Sequence, residues 1–495
     1  MPDAYPSNKD LAREVLKVVL ALLGLVWIAH SFSYGGDRVE SLPQDTQLLS
    51  VQATTEEHKD ICGAPSADGH ALPLEMIYSD EKRDWIEFAS DRFSHLCPHI
   101  QVKIRAMRDV EAADAIFAGQ LTPTLWAPTD DLALKYLEHR FKQRGGPQPL
   151  LGAEKSYLIQ SPIVMLLFQD RLRVLSTVLR RSPGEDGLWV RSLCSGVAKE
   201  PDPAPIPLEM MVPGTWAELY APLGLSLETR KAVSPQVLRL RDEPFPTAEE
   251  IAKWGRVKIG HTPPTQDNAG LAALYLMAFD YVLAPKQRTA SQPGGVMEDE
   301  STDAAPQQSE QDIGEAFEKG FADKKESLRK WLRRCEAGLP QAPKSSQALT
   351  AGMFNTGASL YDGVVTYEHL ALPFLERVDK SATAMNKLVV IYPQPTLWAR
   401  HPAVVLKATP QQHEGARKWL SFLLGKEMQE KAVEMGFRPI RSEVTVRGHK
   451  VDQNRFLRLR RHVMMREPGG AEAPRVDGSV IAELMGIWSE ATGRL

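Results

Sequence analysis

The chain is 495 residues long, which exceeds the usual size of one domain and predicts two or three lobes. Its composition is that of a globular protein, with 43% hydrophobic residues, 25% charged residues and a net charge of −4. Because Lys and Arg are not in excess, the composition argues against a nucleic-acid partner. The sequence has no Cys-x-x-Cys pair, Gly-x-Ser-x-Gly elbow or Gly-x-x-x-x-Gly-Lys loop. We therefore expect a protein that is not an enzyme and uses neither a metal nor a cofactor.

The N-terminal segment determines the predicted compartment. Residues 18–29 are all apolar and follow three basic residues, which fits the core of a signal peptide. The longer stretch 15–34 is about long enough to cross a bilayer, and the basic residues place its N-terminal side in the cytoplasm. We favour an uncleaved anchor in residues 1–36, followed by a polar stalk in residues 37–71. Under either interpretation the body of the protein is extracytoplasmic, and the anchor makes it a single-pass protein of the cell membrane.

Strand and helix patterns alternate from residue 72 onward. Residues 74–79, 99–107 and 121–129 have strand patterns, and an amphipathic helix pattern follows each of them. This alternation predicts an α/β fold with a parallel sheet covered on both faces. In such sheets ligands bind beyond the carboxyl ends of the strands. Ser79, Asp80, Pro128, Thr129 and Asp130 lie at these ends.

The rest of the chain carries weaker signals. Residues 161–168 predict a buried strand, and residues 388–392 predict another. Residues 285–312 are rich in Pro, Gly, Ser, Gln and acidic residues and have almost no apolar residue, which predicts a disordered insertion. Residues 411–435 predict one long amphipathic helix that ends at Gly436. A last helix is predicted in residues 479–492.

Residues 257–281 read as a short strand, a polar loop and a helix. The first turn of a helix leaves backbone N–H groups unpaired, and the helix dipole favours negative charge there. The loop is therefore suited to hold an anionic or strongly polar small ligand. In the alternative interpretation, Asp267 or Asn268 merely caps the helix.

The loop also carries a family resemblance. From Gly260 the chain reads Gly-His-Thr-Pro-Pro-Thr-Gln-Asp-Asn-Ala-Gly-Leu. This resembles the Gly-His-Thr-x-Pro-Thr-x-Ser-Asn-Ser-Gly-Leu segment of bacterial extracellular solute-binding proteins, in particular the branch often fused to a von Willebrand factor A domain. Four further segments support the resemblance in the family's order: residues 123–129, 361–371, 392–402 and 436–439.

The resemblance implies a type II periplasmic-binding-protein-like fold, in which two α/β lobes close on a ligand. Lobe one would comprise residues 72–160 and 391–495, and lobe two residues 161–390. Residues 162–168 and 388–392 would carry the chain between them. The residues implied to bind the ligand are Ser79, Thr129, Ser161, Thr262, Thr265, Asn268 and Tyr361. Gln266 and Asp267 replace the family's usual small hydroxyl pair, and the Asp267 carboxylate argues against an oxyanion.

Two functions remain open at this level. The first is a membrane-anchored receptor that closes its lobes on a small polar solute and delivers it to a transporter or reports it to a membrane partner protein. The second is an exported structural or interaction module that keeps the fold without a small ligand. A metal site at His95, Cys97 and His99 is a minor alternative, and Cys97 would otherwise pair with Cys62.

Overall fold

The computed structural model describes residue 62 and residues 70–145, 150, 153–172, 246–255, 257–283, 310–337, 339–380, 387–393, 396–448, 452–460, 462–465 and 472–494. The predicted anchor, nearly all of the stalk and most of the predicted insertion lie outside these residues. Within the described ranges, no helix is both long enough and apolar enough to cross a membrane. The described residues belong to one compact unit, Asp60–Leu495.

The first sheet has five strands and follows the predicted alternation. Its strands are β1 (Leu72–Tyr78), β2 (Ile100–Ala106), β3 (Leu125–Ala127), β4 (Lys155–Tyr157) and β10 (Pro402–Val405). The order is β2-β1-β3-β10-β4, with β1 parallel to β2 and β3, and β10 antiparallel to its neighbours. Helices α1 (Arg83–Leu96), α2 (Asp109–Phe117) and α3 (Asp131–Arg144) follow the three parallel strands. The predicted α/β fold class is confirmed.

The second sheet is built around β5 (Ile159–Phe168), whose ten residues are all buried. The other strands are β6 (Ile259–Gly260), β7 (Gly363–Tyr367), β8 (Leu388–Ile391), β9 (Trp398–Ala399) and β11 (Arg438–Pro439). Strand β5 pairs antiparallel with β7, β8, β9 and β11, while β6 is parallel to β7. Since β5 follows β4 directly and β9 precedes β10 directly, the chain crosses between the sheets in two antiparallel stretches.

The other helices of the described residues follow in chain order. They are α4 (Ala248–Lys253), α5 (Asn268–Val282), α6 (Glu310–Glu336), α7 (Ser346–Thr356), α8 (Glu368–Lys380), α9 (Pro410–Leu423), α10 (Lys426–Met435), α11 (Arg455–Arg458) and α12 (Gly478–Thr492). The prediction of one helix over residues 411–435 is wrong, because Gly425 adopts an extended conformation (ψ 153°) and separates α9 from α10. The apolar pattern continues across this break because both helices bury the same side. Helix α6 begins at Glu310, before the predicted end of the insertion at residue 312.

The C-terminal helix α12 joins the two halves of the structure. Its buried face includes Ile481, Leu484 and Trp488, which share one apolar core with residues of α3, α5 and α6. The approach to α3 is close: a Cβ on Gly478 would lie 1.9 Å from the carbonyl oxygen of Lys135. Only glycine fits at that position without moving one helix.

A disulfide joins Cys62 to Cys97, with 5.4 Å between their Cα atoms. The neighbouring histidines bond to backbone carbonyls: His95 to that of Asp91 at 2.8 Å and His99 to that of Cys62 at 3.0 Å. Cys97 therefore takes the disulfide alternative rather than the metal alternative. Among the described residues, no group of three or more His, Cys, Asp and Glu side chains is arranged to hold a metal ion.

Candidate functional site

Polar side chains from strand ends, adjoining loops and helix N-termini meet in one cluster between the two sheets. We call it the junction cluster. Its members are Ser79, Glu81, Lys82, Asp109, Thr129, Asp130, Ser161, Asn268, Tyr367, His369 and His401. All are buried except Glu81, which is partly exposed as a residue although its carboxyl group is enclosed by protein atoms. The concentration of so many buried ionisable groups at the carboxyl ends of strands is typical of a functional site.

The Lys82 ammonium lies at the centre of the first-sheet side. Its Nζ donates to Ser79 Oγ at 2.5 Å and to the Pro128 carbonyl at 3.1 Å, and it lies 3.4 Å from His401 Nδ1. Because an ammonium group can only donate, Nδ1 acts as acceptor and the proton of neutral His401 sits on Nε2. Burial lowers the pKa of Lys82 to about 8, and the carboxylates of Asp109 and Glu81 limit the fall.

Two carboxyl groups flank Lys82 and share Thr129 as a partner. Asp109 Oδ2 accepts from the Thr129 backbone N–H at 2.8 Å, and Glu81 Oε2 accepts from Thr129 Oγ1 at 2.9 Å. Burial raises the pKa of Asp109 to about 6 despite the opposing influence of Lys82 and Thr129. Burial also raises the pKa of Glu81 well above its usual value, and the charges of Asp80 and Asp109 add to the rise. The cluster therefore contains more acid than base.

Asp130 and Asn268 connect the two sheets. Asp130 caps α3 by accepting from the Leu132 N–H at 2.9 Å, and Asn268 is the first residue of α5. Burial raises the pKa of Asp130 to about 8, and the charge of Asp109 contributes, whereas a hydrogen bond from Asn268 opposes the rise. The Asn268 amide also donates to Tyr367 Oη at 3.2 Å. The N-termini of two helices, one from each half, thus meet across the junction.

Two neutral histidines complete the cluster. His369 Nδ1 lies 3.0 Å from Ser161 Oγ, its Nε2 lies 3.2 Å from the Glu81 carbonyl oxygen, and burial lowers its pKa to about 3. His401 has a φ of 39°, a region that costs a non-glycine residue of the order of 1–3 kcal/mol. Hydrogen bonds to Thr129 (2.9 Å) and from Leu158 (3.1 Å) hold this backbone in place. Strain of this kind concentrates at functional sites.

Three buried polar atoms of the cluster have no hydrogen-bond partner within the described residues: Asp109 Oδ1, Asn268 Oδ1 and His401 Nε2. Leaving a buried polar atom unpaired costs roughly 1–3 kcal/mol. Two of the three atoms accept and one donates, so a small molecule with both hydroxyl or N–H groups and an acceptor would satisfy them. The donor and acceptor character of these three atoms is complementary to the polar groups of a small solute.

Hydrogen-bond donors of the loop before α5 and of its first turn bond to the carboxylate of Asp267, which belongs to the same loop. Asp267 accepts from the Ala269 N–H at 2.9 Å and from Thr262 Oγ1 at 2.7 Å, and also from the Ser346 N–H at 2.9 Å. Asp267 thus fills the helix N-terminus that would otherwise attract an anion, in agreement with the capping interpretation. Thr262 bonds within this cap, and Thr265 Oγ1 is buried without a partner among the described residues.

The seven residues implied by the resemblance lie in three places: the junction cluster, the adjoining loop and the apolar core of the second sheet. Ser79, Thr129, Ser161 and Asn268 lie in the junction cluster, while Thr262 and Thr265 lie in the adjoining loop. Tyr361 packs in the apolar core of the second sheet, where its ring lies against Gly260; a Cβ there would come within 2.6 Å of the ring. Tyr361 makes no hydrogen bond to the cluster among the described residues. Contact of any of the seven with a ligand stays a prediction.

Residues 436–439 hold one side chain of the junction cluster, His369, in position. Gly436 ends α10 with a φ of 97°, as its predicted position requires. The Phe437 ring stacks on His369 with 4.0 Å between ring centroids. Arg438 Nε pairs with Glu368 Oε2 at 2.6 Å in a buried ion pair. This segment therefore fixes the position of His369 through both the ring and the adjacent backbone.

Sequence reasoning missed Glu81, Lys82, Asp109, Tyr367, His369 and His401. Four of them, Glu81, Lys82, Asp109 and His369, follow the carboxyl end of a strand by two to four residues. Considering a few more residues after each strand would have included them. His401 is different, because it precedes β10. Since β10 is antiparallel to β3, its N-terminal end lies at the same edge of the sheet as the carboxyl end of β3. The sequence gives no indication of that orientation.

Comparison with known families identifies the middle of the chain. Residues 215–438 match the family described as "Bacterial extracellular solute-binding protein". These residues therefore correspond to an extracellular solute-binding domain. The resemblance is thereby confirmed at family level, whereas the branch with a von Willebrand factor A domain stays a prediction. No curated protein sequence matches the chain.

Several solved structures are similar to this chain at low identity. A ferric binding protein from Campylobacter jejuni has 12% identity and a TM-score of 0.42, covering 84% of this chain and 99% of that one. A substrate binding protein of an ABC transporter from Agrobacterium tumefaciens has 14% identity and a TM-score of 0.42, covering 86% and 96%. The sulfate-binding protein SubI from Mycobacterium tuberculosis has 11% identity and a TM-score of 0.39, covering 75% and 88%. At these values the similarities carry no argument about the ligand.

Proposed function

We propose that this protein is a membrane-anchored extracytoplasmic receptor that binds a small polar solute in the junction cluster and presents it to an ABC transporter. The family match to residues 215–438 supports solute binding as the general role. The proposed location of the solute site rests on three buried polar atoms without a hydrogen-bond partner among the described residues: Asp109 Oδ1, Asn268 Oδ1 and His401 Nε2. They lie between the two sheets, where a hinge about the crossing strands β5 and β9 would open and close the site.

The charge of the cluster narrows the class of solute. The carboxyl groups of Glu81, Asp109 and Asp130 outnumber the single ammonium group of Lys82, and Asp267 occupies the nearest helix N-terminus. At pH 7 Asp109, whose pKa is about 6, is largely ionised, so an oxyanion would meet its carboxylate and a helix N-terminus that Asp267 already fills. A neutral polyol, a sugar or an amine would instead donate to Asp109 and Asn268. We accordingly expect a donor-rich ligand.

A thermal-shift screen of the full chain in detergent tests this function. The compounds are sugars, polyols, amino acids, amines and oxyanions, and a ligand that binds the folded state raises the Tm. We expect a donor-rich compound to raise the Tm of the wild type and to lose at least tenfold in affinity in Asn268→Ala. The control is Asn454→Ala, which removes a buried asparagine that caps α11 far from the cluster in the chain. That variant should lose stability but keep its affinity.

The same screen can overturn the proposal. If none of the compounds raises the Tm, or if Asn268→Ala binds as tightly as Asn454→Ala, the junction cluster is not the solute site. The second function, an exported interaction module without a ligand, would then be favoured. Its support in the structure is Lys82, whose ammonium group already satisfies Ser79 and Pro128 from within the chain.

A further inference from the structure

A second polar region lies on the outer side of the junction. It is a pocket of about 350 Å³ at the ends of β1 and β2 and before α7. Four cationic side chains, Arg83, Arg105, Arg108 and Lys344, and two carboxylates, Asp80 and Glu111, line it. We call it the basic pocket.

The pocket keeps a positive excess after internal pairing. Glu111 is engaged by Arg108, whose Nη2 and Nε lie 2.8 Å and 3.1 Å from Glu111 Oε2. In the part of the chain that the structure describes, Arg83, Arg105 and Lys344 form no ion pair. Asp80 is then the one remaining carboxylate of the lining, against three cations. Like charges gathered around a concave surface raise the local concentration of anions.

The three cations come from three different elements. Arg83 is the first residue of α1, Arg105 lies near the end of β2, and Lys344 precedes the N-cap of α7, Ser345. All three are exposed, so their charges are maintained by water and cost the fold no desolvation. The N-terminus of α7 adds little to this charge, because the Ser345 side chain and the Asp267 carboxylate already accept hydrogen bonds from its first turn. Charge and concavity thus act in the same direction.

We propose that the basic pocket binds a compact organic anion with at least two negative charges, carried by carboxylate or phosphate groups. Guanidinium groups match both oxyanions through paired hydrogen bonds, and Lys344 would act as a point charge opposite them. The volume lies at the small end of the range of ligand pockets, which is roughly 300–1,000 Å³. The site is separate from the junction cluster, because its cations face solvent and require no opening of the structure. It does not depend on the proposed solute function.

Isothermal titration calorimetry on the full chain in detergent tests the pocket, with citrate and inorganic phosphate as probes at low ionic strength. We expect saturable binding of at least one probe, and at least tenfold weaker binding in Arg105→Glu and in Lys344→Glu. The matched control is Lys103→Glu. Lys103 is exposed on the same strand and the same face as Arg105, two residues away, and does not line the pocket. This variant should keep its affinity within about twofold.

Every other result overturns the proposal. If neither probe binds the wild type at millimolar concentration, the pocket is not an anion site. If Lys103→Glu weakens binding as much as Arg105→Glu, the attraction is a general effect of surface charge. The milder variants Arg105→Gln and Lys344→Gln guard against misfolding: if both are folded by circular dichroism and bind like the wild type, the assigned residues do not hold the anion.

Discussion

The junction cluster and the basic pocket are built from adjoining residues but have opposite properties. Lys82 points into the cluster and Arg83, its neighbour, lines the pocket; Asp109 belongs to the cluster and Arg108, the preceding residue, to the pocket. The cluster is buried and shifts the pKa values of its groups. The pocket is open and leaves three cations without a carboxylate partner among the described residues. Whether a charged side chain is buried, rather than which residue type carries it, decides whether it mainly affects stability or anion binding.

The difference has a consequence for stability. Removing a buried charge leaves its partners in a medium that cannot solvate them, whereas removing an exposed charge changes little. Substitutions of the buried charged residues of the cluster should therefore mainly change the free energy of unfolding. Variants in the pocket should mainly change binding. The following substitutions test this division, in order of decreasing effect.

The largest effect is expected for Lys82→Met. The substitution removes three hydrogen bonds and the cation that faces Asp109 and Glu81, and should lower the free energy of unfolding by about 3 kcal/mol at pH 7. Arg83→Met is the matched control one residue further along, and it should stay within about 0.5 kcal/mol of the wild type. Urea denaturation of both variants measures the difference. Equal losses would contradict the division between the two regions.

The next effect is expected for Asp130→Asn as a function of pH. The folded-state pKa of Asp130, about 8, is raised above the usual 3.8, so its contribution to stability is complete below about pH 3.8 and is lost as the pH rises through 8. Asparagine caps a helix equally well but does not titrate. Between pH 6 and pH 8 folded Asp130 stays largely protonated while the unfolded carboxyl is ionised, so the variant should gain about 1.4 kcal/mol per pH unit relative to the wild type. The gain should level off above pH 8, at between about 2 and 3 kcal/mol by pH 9.

Asp477→Asn is the control for this pH profile. Asp477 caps α12 in the same manner, accepting from the Ser479 N–H at 2.9 Å, but that hydrogen bond lowers its pKa. Its contribution is lost only as the pH falls through the acidic range, so its profile should be flat from pH 6 to pH 9. Parallel profiles for the two variants would show that burial of Asp130 does not govern its titration.

The smallest effect is expected for the double variant Arg105→Gln and Lys344→Gln in the absence of any anion. It removes repulsion between exposed cations, so we expect a gain of a few tenths of a kcal/mol at low salt that vanishes near 0.5 M salt. Chemical denaturation at two salt concentrations measures it. A loss of more than 1 kcal/mol at either concentration would mean that these side chains stabilise the fold.

The sequence predicted the first sheet better than the second. In the first sheet each parallel strand is followed by its own helix, so local periodicity is sufficient, and Ser79, Thr129 and Asp130 could be placed at the strand ends. The second sheet depends on β5 pairing with four strands from distant parts of the chain, and local periodicity does not encode such pairings. The split between α9 and α10 was hidden for a related reason, since one glycine interrupts an otherwise continuous apolar pattern.

The candidate site shows the same limit. Strand ends could be located, but which side chains point inward could not, as Lys82 and Arg83 demonstrate. Asn268 and Asp267 were both candidates for a helix cap, and the structure assigns the cap to Asp267, whose carboxylate accepts from the Ala269 N–H. The same carboxylate also accepts from Ser346, 79 positions away, and no local pattern predicts that contact. Tertiary packing therefore determined what local sequence left open.

The C-terminal helix α12 restricts any motion about the crossing strands. It packs on α3, beside the first sheet, and on α6, beside the second, with Trp488 fully buried. A rotation that separated the sheets would have to strip α12 from one of these partners and expose its apolar side. If the two sheets separate during solute binding, we therefore expect this 15-residue helix to undock from one of its partners, although it lies far along the chain from β5.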